Sequence, residues 1–285
     1  MQNTKNIAIL MSTYNGECYL SQQIDSILGQ SCQDFTLYIR DDGSKDSTLN
    51  IAQSYATKYS NVVLFDSNEN LGCTRSFLTL LLEVKSQYYM FCDQDDVWLK
   101  DKIKDTLECM KGIETWNLGK SLIVYTDLTA VDAELNMIYP SMWEYRGHFE
   151  RLPHTFNYLC HFHDIDGCTM MLNYNAKLLI TKEILETIPL FMYHDWLMAL
   201  LVCKANGFII PLEKSTMLFR RHGDNETNAL ESKRSIASSM KHIFPYIRVQ
   251  YRRYLYFHSI GYRDVFTYFF YKFLYLLKRQ LLKRR

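Results

Sequence analysis

Short apolar runs alternate with stretches of helical periodicity over the first ~130 residues. Ile7 to Met11 reads as a buried strand, closed by the polar turn Ser12-Thr13-Tyr14-Asn15-Gly16. From Tyr19 to Leu28 the apolar positions recur at helical spacing. Thr36 to Arg40 reads as a second strand, ending at Asp41-Asp42-Gly43-Ser44, and Asp46 or Ser47 is placed to cap a helix running to Tyr59. Val62 to Phe65 is a third strand, ending near Asn68-Glu69-Asn70. Leu71-Gly72 precedes a helix through Val84, and Tyr88-Tyr89-Met90-Phe91-Cys92 reads as a fourth, buried strand. This order predicts an α/β fold with a mostly parallel sheet, right-handed crossovers and helices on its faces. In such sheets ligands bind outside the carboxyl ends of the strands. Every polar turn named above lies at such an end.

The pattern from Leu122 to Arg221 is less regular. Ile123-Val124-Tyr125 reads as a strand, and Asp127 to Ile138 as an excursion at a sheet edge. Residues 139–165 are aromatic and His-rich without a period. Asp195 to Ala205 is helical, and Phe208 to Ile210 and Met217 to Phe219 read as two strands. No internal repeat or low-complexity linker interrupts the chain.

With 285 residues, 48% of them hydrophobic, the chain can fill one large α/β core with appendages. A net charge of +1 argues against a general nucleic-acid binder. The eight cysteines form no CxxC pair and sit in apolar patterns, as buried thiols do in a reducing compartment. Met1 to Asn6 leads into a strand without an apolar leader, which predicts a cytoplasmic catalytic part and makes the sequon Asn225-Glu226-Thr227 irrelevant.

The sharpest chemical feature is Asp93-Gln94-Asp95-Asp96, directly after the fourth strand. Three carboxylates at one strand end repel one another unless a cation sits among them. An oxygen-rich site of this kind suits Mg2+ or Mn2+ bound together with substrate phosphates. The alternative is a cap, by Asp95 or Asp96, on a helix starting near Trp98.

Taken together, Ser12-Thr13-Tyr14-Asn15 with Tyr19-Leu20, Asp41-Asp42-Gly43-Ser44 with Asp46 and Thr48, Asn70-Leu71-Gly72, Asp93-Gln94-Asp95-Asp96 with Trp98, and His194-Asp195 resemble the family 2 inverting glycosyltransferases. The resemblance spans residues 7–225 and is strongest to bacterial O-antigen and capsule glycosyltransferases, rhamnosyltransferase-like members included. It implies a GT-A fold with a Rossmann-like sheet, over residues 1–225. Residues 1–98 would form a nucleotide-binding half and residues 99–225 a metal and acceptor half. Thr13, Tyr14 and Glu17 would line the nucleotide pocket. Asp41 or Asp42 would accept from a uracil or thymine imide N–H, or would simply form the turn before Gly43. Asn70 and Gly72 would shape the turn that brings Arg75 to a phosphate. Asp93 would face the ribose or the metal. Asp95 is the expected principal ligand of Mn2+ or Mg2+, with Asp96 and His222 as further ligands. Asp195 would be the general base, or an N-cap of the apolar helix that follows it, or both, with His194 where the family usually has an acidic residue. Asp166, Gly167 and Trp196 would face the donor sugar and acceptor. The implied substrates are a UDP- or dTDP-sugar and a growing, lipid-linked bacterial surface glycan.

Cys160-His161-Phe162-His163-Asp164 fits no zinc spacing and reads as an acceptor-side loop. In the last stretch, residues 226–285, an aromatic run from Val265 to Leu277 is followed by Lys278, Arg279, Lys283, Arg284 and Arg285. It is too short to span a bilayer and reads as an amphipathic helical tail on the inner, anionic face of the cell membrane, or as a helix packed on the main domain. Two other functions share parts of this pattern. A sugar-phosphate nucleotidyltransferase would need a basic residue in the loop after the first strand, which Ser12 to Gly16 lacks. A non-catalytic membrane scaffold would have no use for carboxylates at 41, 42, 93, 95, 96 and 195.

Overall fold

A computed structural model describes residues 5–67, 69–146, 154–162, 164–222, 243–262 and 264–282. Asn68, His163 and the segment 223–242, with the sequon, lie outside the described residues. The strands are β1 (Ile7–Thr13), β2 (Phe35–Asp41), β3 (Val62–Phe65), β4 (Tyr88–Cys92), β5 (Val97–Trp98), β6 (Leu122–Val131), β7 (Met137–Tyr139), β8 (Met170–Asn173) and β9 (Phe208–Arg220). The helices are α1 (Leu20–Leu28), α2 (Thr48–Lys58), α3 (Cys73–Glu83), α4 (Lys102–Glu114), α5 (Met142–Arg146), α6 (Phe156–Leu159), α7 (Tyr174–Lys177), α8 (Lys182–Thr187), α9 (His194–Lys204), α10 (Ile243–Ser259) and α11 (Val265–Leu282).

One mixed sheet runs β3-β2-β1-β4-β8-β6-β9-β5, with β7 paired to β6. Its first four strands are all parallel. β1 is central, so both its faces are covered and its apolar run is unbroken. Ile7, Ile9 and Met11 face the core that Leu20, Ile24 and Ile27 of α1 complete. On the opposite face Phe91 of β4 meets Phe77 of α3 edge-on, ring centroids 5.5 Å apart. The register sets Thr13 beside Asp41 and Met11 beside Cys92, so the loops after β1, β2 and β4 emerge together.

The second half differs from the sequence pattern in three places. β6 continues to Val131 as an interior strand between β8 and β9, where an edge excursion is expected. β9 is one strand of 13 residues; Pro211 and the Glu213-Lys214 pair hide its continuity, and its register on β6 shifts near Asp127. Val97 and Trp98 form a short strand against Leu218 and Met217, and α4 starts only at Lys102 behind Asp101. Neither Asp95 nor Asp96 therefore caps that helix.

The described residues divide into two units. One takes Met1–His154 and Asp164–Arg221 and holds the whole sheet; the other takes Thr155–His163 and His222–Arg285. Within the second unit, His161 is buried against Tyr262, Tyr268 and Tyr271. Its Nε2 lies 2.9 Å from the Tyr262 hydroxyl, and Lys272 Nζ donates to its carbonyl at 3.0 Å. Burial, with the Lys272 charge adding, lowers the His161 pKa to about 3. His161 is thus part of the helical unit's core. Phe266, Phe270 and Phe273 of α11, spaced on one helix face, are exposed. No helix among the described residues is long and apolar enough to cross a membrane.

Candidate active site

Three loops at the carboxyl ends of β1, β2 and β4 are tied into one wall. Asp41 accepts from Thr13 Oγ1 (3.0 Å), Ser44 Oγ (2.5 Å), Ser44 N (2.9 Å) and Gly43 N (3.2 Å). Gly43 supplies the positive φ, +83°, that this turn requires. Asp42 accepts from Leu71 N (2.8 Å) and Gly72 N (2.7 Å) and forms a buried ion pair with Arg40. Arg40 also donates to Ser76 Oγ and the Glu69 carbonyl, so the pair is compensated on both sides. Both carboxylates hold loops, and an imide donor would have to share one of these bonds. Asn70 donates to the Asp42 carbonyl at 2.7 Å, and Gly72 (φ +76°) opens α3, whose first turn carries the half-buried Arg75. Glu17 accepts from Ser47 N at 2.8 Å, locking the β1 loop to the start of α2.

Gln94 performs a task that its position between aspartates does not advertise. Its amide accepts from Tyr14 N at 2.8 Å and donates to Tyr14 O at 3.0 Å, leaving the Tyr14 ring exposed. Its side chain fills the space where a Cβ at Gly16 would lie, 2.3 Å from Gln94 Oε1. The acidic cluster and the β1 loop are thereby one body.

Among the described residues, one group brings three potential metal-ligand atoms within 4.8 Å of one another: Asp93, Asp96 and Cys168. Asp95, the expected principal ligand, is outside that group; its carbonyl accepts from Arg220 Nε at 2.9 Å. Asp96 is fully buried. Its Oδ1 accepts from Arg220 N at 3.1 Å, and among the described residues its Oδ2 has no hydrogen-bond donor. Burial, then repulsion from Asp95 and Asp93, pushes the Asp96 carboxyl well above the usual range. A buried carboxylate oxygen without a donor, beside a second carboxylate, fits a divalent cation. Behind the cluster lies Lys102, wholly buried, with Nζ 3.2 Å from Thr216 Oγ1 and over the Trp98 ring. Burial lowers its pKa to about 8. Arg220, the last residue of β9, clamps the cluster from outside through Gln22 Oε1 (2.5 Å), the Ala133 carbonyl and the Tyr19 ring. His222 belongs to the helical unit.

The third part of the site is the turn Asp166-Gly167-Cys168-Thr169. Gly167 N donates to Asp195 Oδ2 at 2.9 Å, and Trp196 N to Asp195 Oδ1 at 2.6 Å. Asp195 lies in the first turn of α9, where a carboxylate also gains from the helix dipole. His194 is packed against Phe77 and Phe91, ring centroids 4.3 and 4.7 Å away, and Trp196 is buried in the core. Asp166 Oδ2 accepts from Arg146 at 2.6 Å. Of the consecutive residues Gly167 and Cys168, Gly167 hydrogen-bonds Asp195, and Cys168 Sγ lies within 4.8 Å of a carboxylate oxygen of Asp93 and of Asp96. Arg40, Lys102 and Arg146 belong to no motif, and Gln94, Cys168 and Arg220 lie within or beside quoted motifs without a role of their own; a buried charge such as Lys102 or Arg220 is legible only once its neighbours are known.

A parallel first half, strand-end carboxylates and a mixed second half make up a GT-A architecture. A sequence model described as "Glycosyl transferase family 2" matches residues 8–175, and the chain belongs to that family of glycosyltransferases. It is 28% identical over 227 residues to dTDP-rhamnosyl transferase RfbG of Shigella flexneri, covering 77% of this chain and 74% of that one. Among solved structures, S. aureus TarS 1-349 in complex with UDP superposes with a TM-score of 0.55 at 18% identity, over 75% of this chain and 60% of that one. Mannosyltransferase PcManGT from Pyrobaculum calidifontis, in complex with GDP-Man and Mn2+, gives 0.57 at 14%, over 80% and 60%. The chain thus spans about three fifths of these two solved chains, and at such identities they speak for the fold.

Proposed function

We propose that the chain is a metal-dependent, inverting glycosyltransferase that moves a sugar from a UDP- or dTDP-linked donor to a lipid-linked surface glycan. The observation that carries this reading is the Gly167-Cys168 junction, which links a buried, oriented carboxylate, Asp195, to the acidic pair Asp93 and Asp96. Asp195 takes the proton of the acceptor hydroxyl as that oxygen attacks C1 from the face opposite the leaving nucleoside diphosphate. The bond from C1 to the diphosphate oxygen breaks with its electrons on the diphosphate, through an oxocarbenium-like transition state. Asp93 and Asp96, with Asp95 as a further candidate, would hold Mn2+ or Mg2+, which would supply positive charge for the departing diphosphate. Thr13, Tyr14, Glu17, Asn70, Gly72 and Arg75, with Asp41 and Asp42 behind them, form the nucleotide wall; Asp166 and Gly167 shape the sugar side, and Trp196, whose ring is buried, contributes through its backbone N–H to Asp195 Oδ1. The exposed aromatic face of α11 supports docking on the inner face of the cell membrane, where a lipid-linked acceptor resides. A donor panel with purified protein, reading released nucleoside diphosphate with Mn2+ and with chelator, tests the reading. Release from one UDP- or dTDP-sugar only in the presence of metal is expected; equal release with chelator would remove the metal from it.

A further inference from the structure

Asp166 and Arg146 form an ion pair at 2.6 Å whose side chains are both 31% exposed. Such a half-exposed pair contributes little to global stability. Its position is more informative than its strength. Asp166 opens the turn that carries Gly167 and Cys168, and its carbonyl accepts from Thr169 N (3.0 Å) and Thr169 Oγ1 (2.6 Å). The Asp166 side chain is the turn's outward anchor, and Arg146 is what it holds. Arg146 is itself well placed to be a fixed point. It ends α5, where Met142 and Trp143 are buried, Trp143 N donates to Asp127 Oδ1 at 3.1 Å, and Tyr145 stacks on Tyr139 at 3.9 Å. One covalent step from Asp166, Gly167 N orients the Asp195 carboxylate.

We propose that Arg146 is a positioning residue for the general base: through Asp166 it fixes the 166–169 turn so that Gly167 N–H holds Asp195 toward the acceptor hydroxyl. This rests on Asp195 being the base. Among the described residues, Arg146 gives Asp166 Oδ2 its charge-assisted bond to a pinned element, so losing the guanidinium frees the turn while leaving its Thr169 closure intact. Small misplacements of a reacting group cost up to roughly a hundredfold in rate.

Six full-length variants test the proposal: Arg146→Ala, Arg146→Lys, the single reversals Arg146→Asp and Asp166→Arg, their combination, and Asp195→Asn as reference. Arg146→Ala should lower kcat by about tenfold to a hundredfold with donor KM and Tm near wild type. Arg146→Lys should keep part of the activity, and the double reversal should recover most of what either single reversal loses. The amide proton of Gly167, shifted downfield by its carboxylate partner, should move in Arg146→Ala. Wild-type kcat in Arg146→Ala with Asp195→Asn inactive would overturn the positioning role and spare the base. An active Asp195→Asn would overturn the base itself, while the Gly167 amide shift would still report whether Arg146 sets the turn.

Discussion

Gly167→Ala probes the junction between base and turn with the least chemical change. Gly167 is not among the glycines with positive φ, so alanine meets no backbone strain. The obstacle is space. A Cβ there would lie 2.6 Å from His194 Nε2, 3.2 Å from Asp195 Cβ and 3.3 Å from Asp195 Oδ2. Relief to 3.0 Å, below which real Cβ contacts essentially never fall, demands a shift of at least 0.4 Å (3.0 minus 2.6). His194 cannot yield toward the sheet, because Phe77 and Phe91 pack on its ring. The turn must therefore back away from α9, stretching the 2.9 Å bond from Gly167 N to Asp195 Oδ2. Overpacking of this kind costs about 1–3 kcal/mol of stability. A 1 Å misplacement costs about a hundredfold in rate, so a shift near half that size should lower kcat by about tenfold. Donor KM should stay within about twofold, because the nucleotide wall is built from β1, β2 and α3. Steady-state kinetics and thermal denaturation on one preparation read both effects. Unchanged kcat together with an unchanged Tm would refute the packing argument and the claim that Gly167 orients Asp195.

Other outcomes follow from the same geometry. Lys102 has a depressed pKa, about 8 against 10.5 when unfolded, so the unfolded chain binds more protons between these values and stability rises with pH across that window. Lys102→Met should abolish that rise, worth up to about 3 kcal/mol, in chemical denaturation at pH 7 to 10.5. Gln94→Ala removes both bonds to the Tyr14 peptide and should weaken donor binding by up to about 2 kcal/mol in calorimetry, with kcat less affected. Glutamate at Phe266, Phe270 and Phe273 should release the protein from anionic vesicles without altering its circular dichroism; undiminished co-sedimentation would refute membrane docking through this face.

The parallel half was legible because each of its strands is an apolar run closed by a polar turn, the pattern of a sheet covered on both faces. The second half mixes directions, and its signals are blurred for identifiable reasons. β8 has only four residues, and β9 carries Pro211 and two charges within one strand. Asp93, Asp96, Gly167 and Asp195 were all found as candidates from motif order, and the structure joins them through one dipeptide. The buried cations were not, because Lys102 in a helix start and Arg220 at a strand end look like ordinary solvated charges until tertiary packing buries them. Nor does an aspartate motif announce that its glutamine will clamp a peptide in another loop.

The central claim concerns Asp195, and one comparison tests it most directly: single-turnover transfer by wild type and Asp195→Asn, with donor binding measured by calorimetry on the same samples. Asparagine keeps one oxygen to accept from Gly167 N, gives up the bond from Trp196 N, and cannot take a proton. The account predicts donor affinity within about twofold and a transfer rate lower by roughly two to four orders of magnitude. Transfer at the wild-type rate in Asp195→Asn would contradict it and move the general base elsewhere.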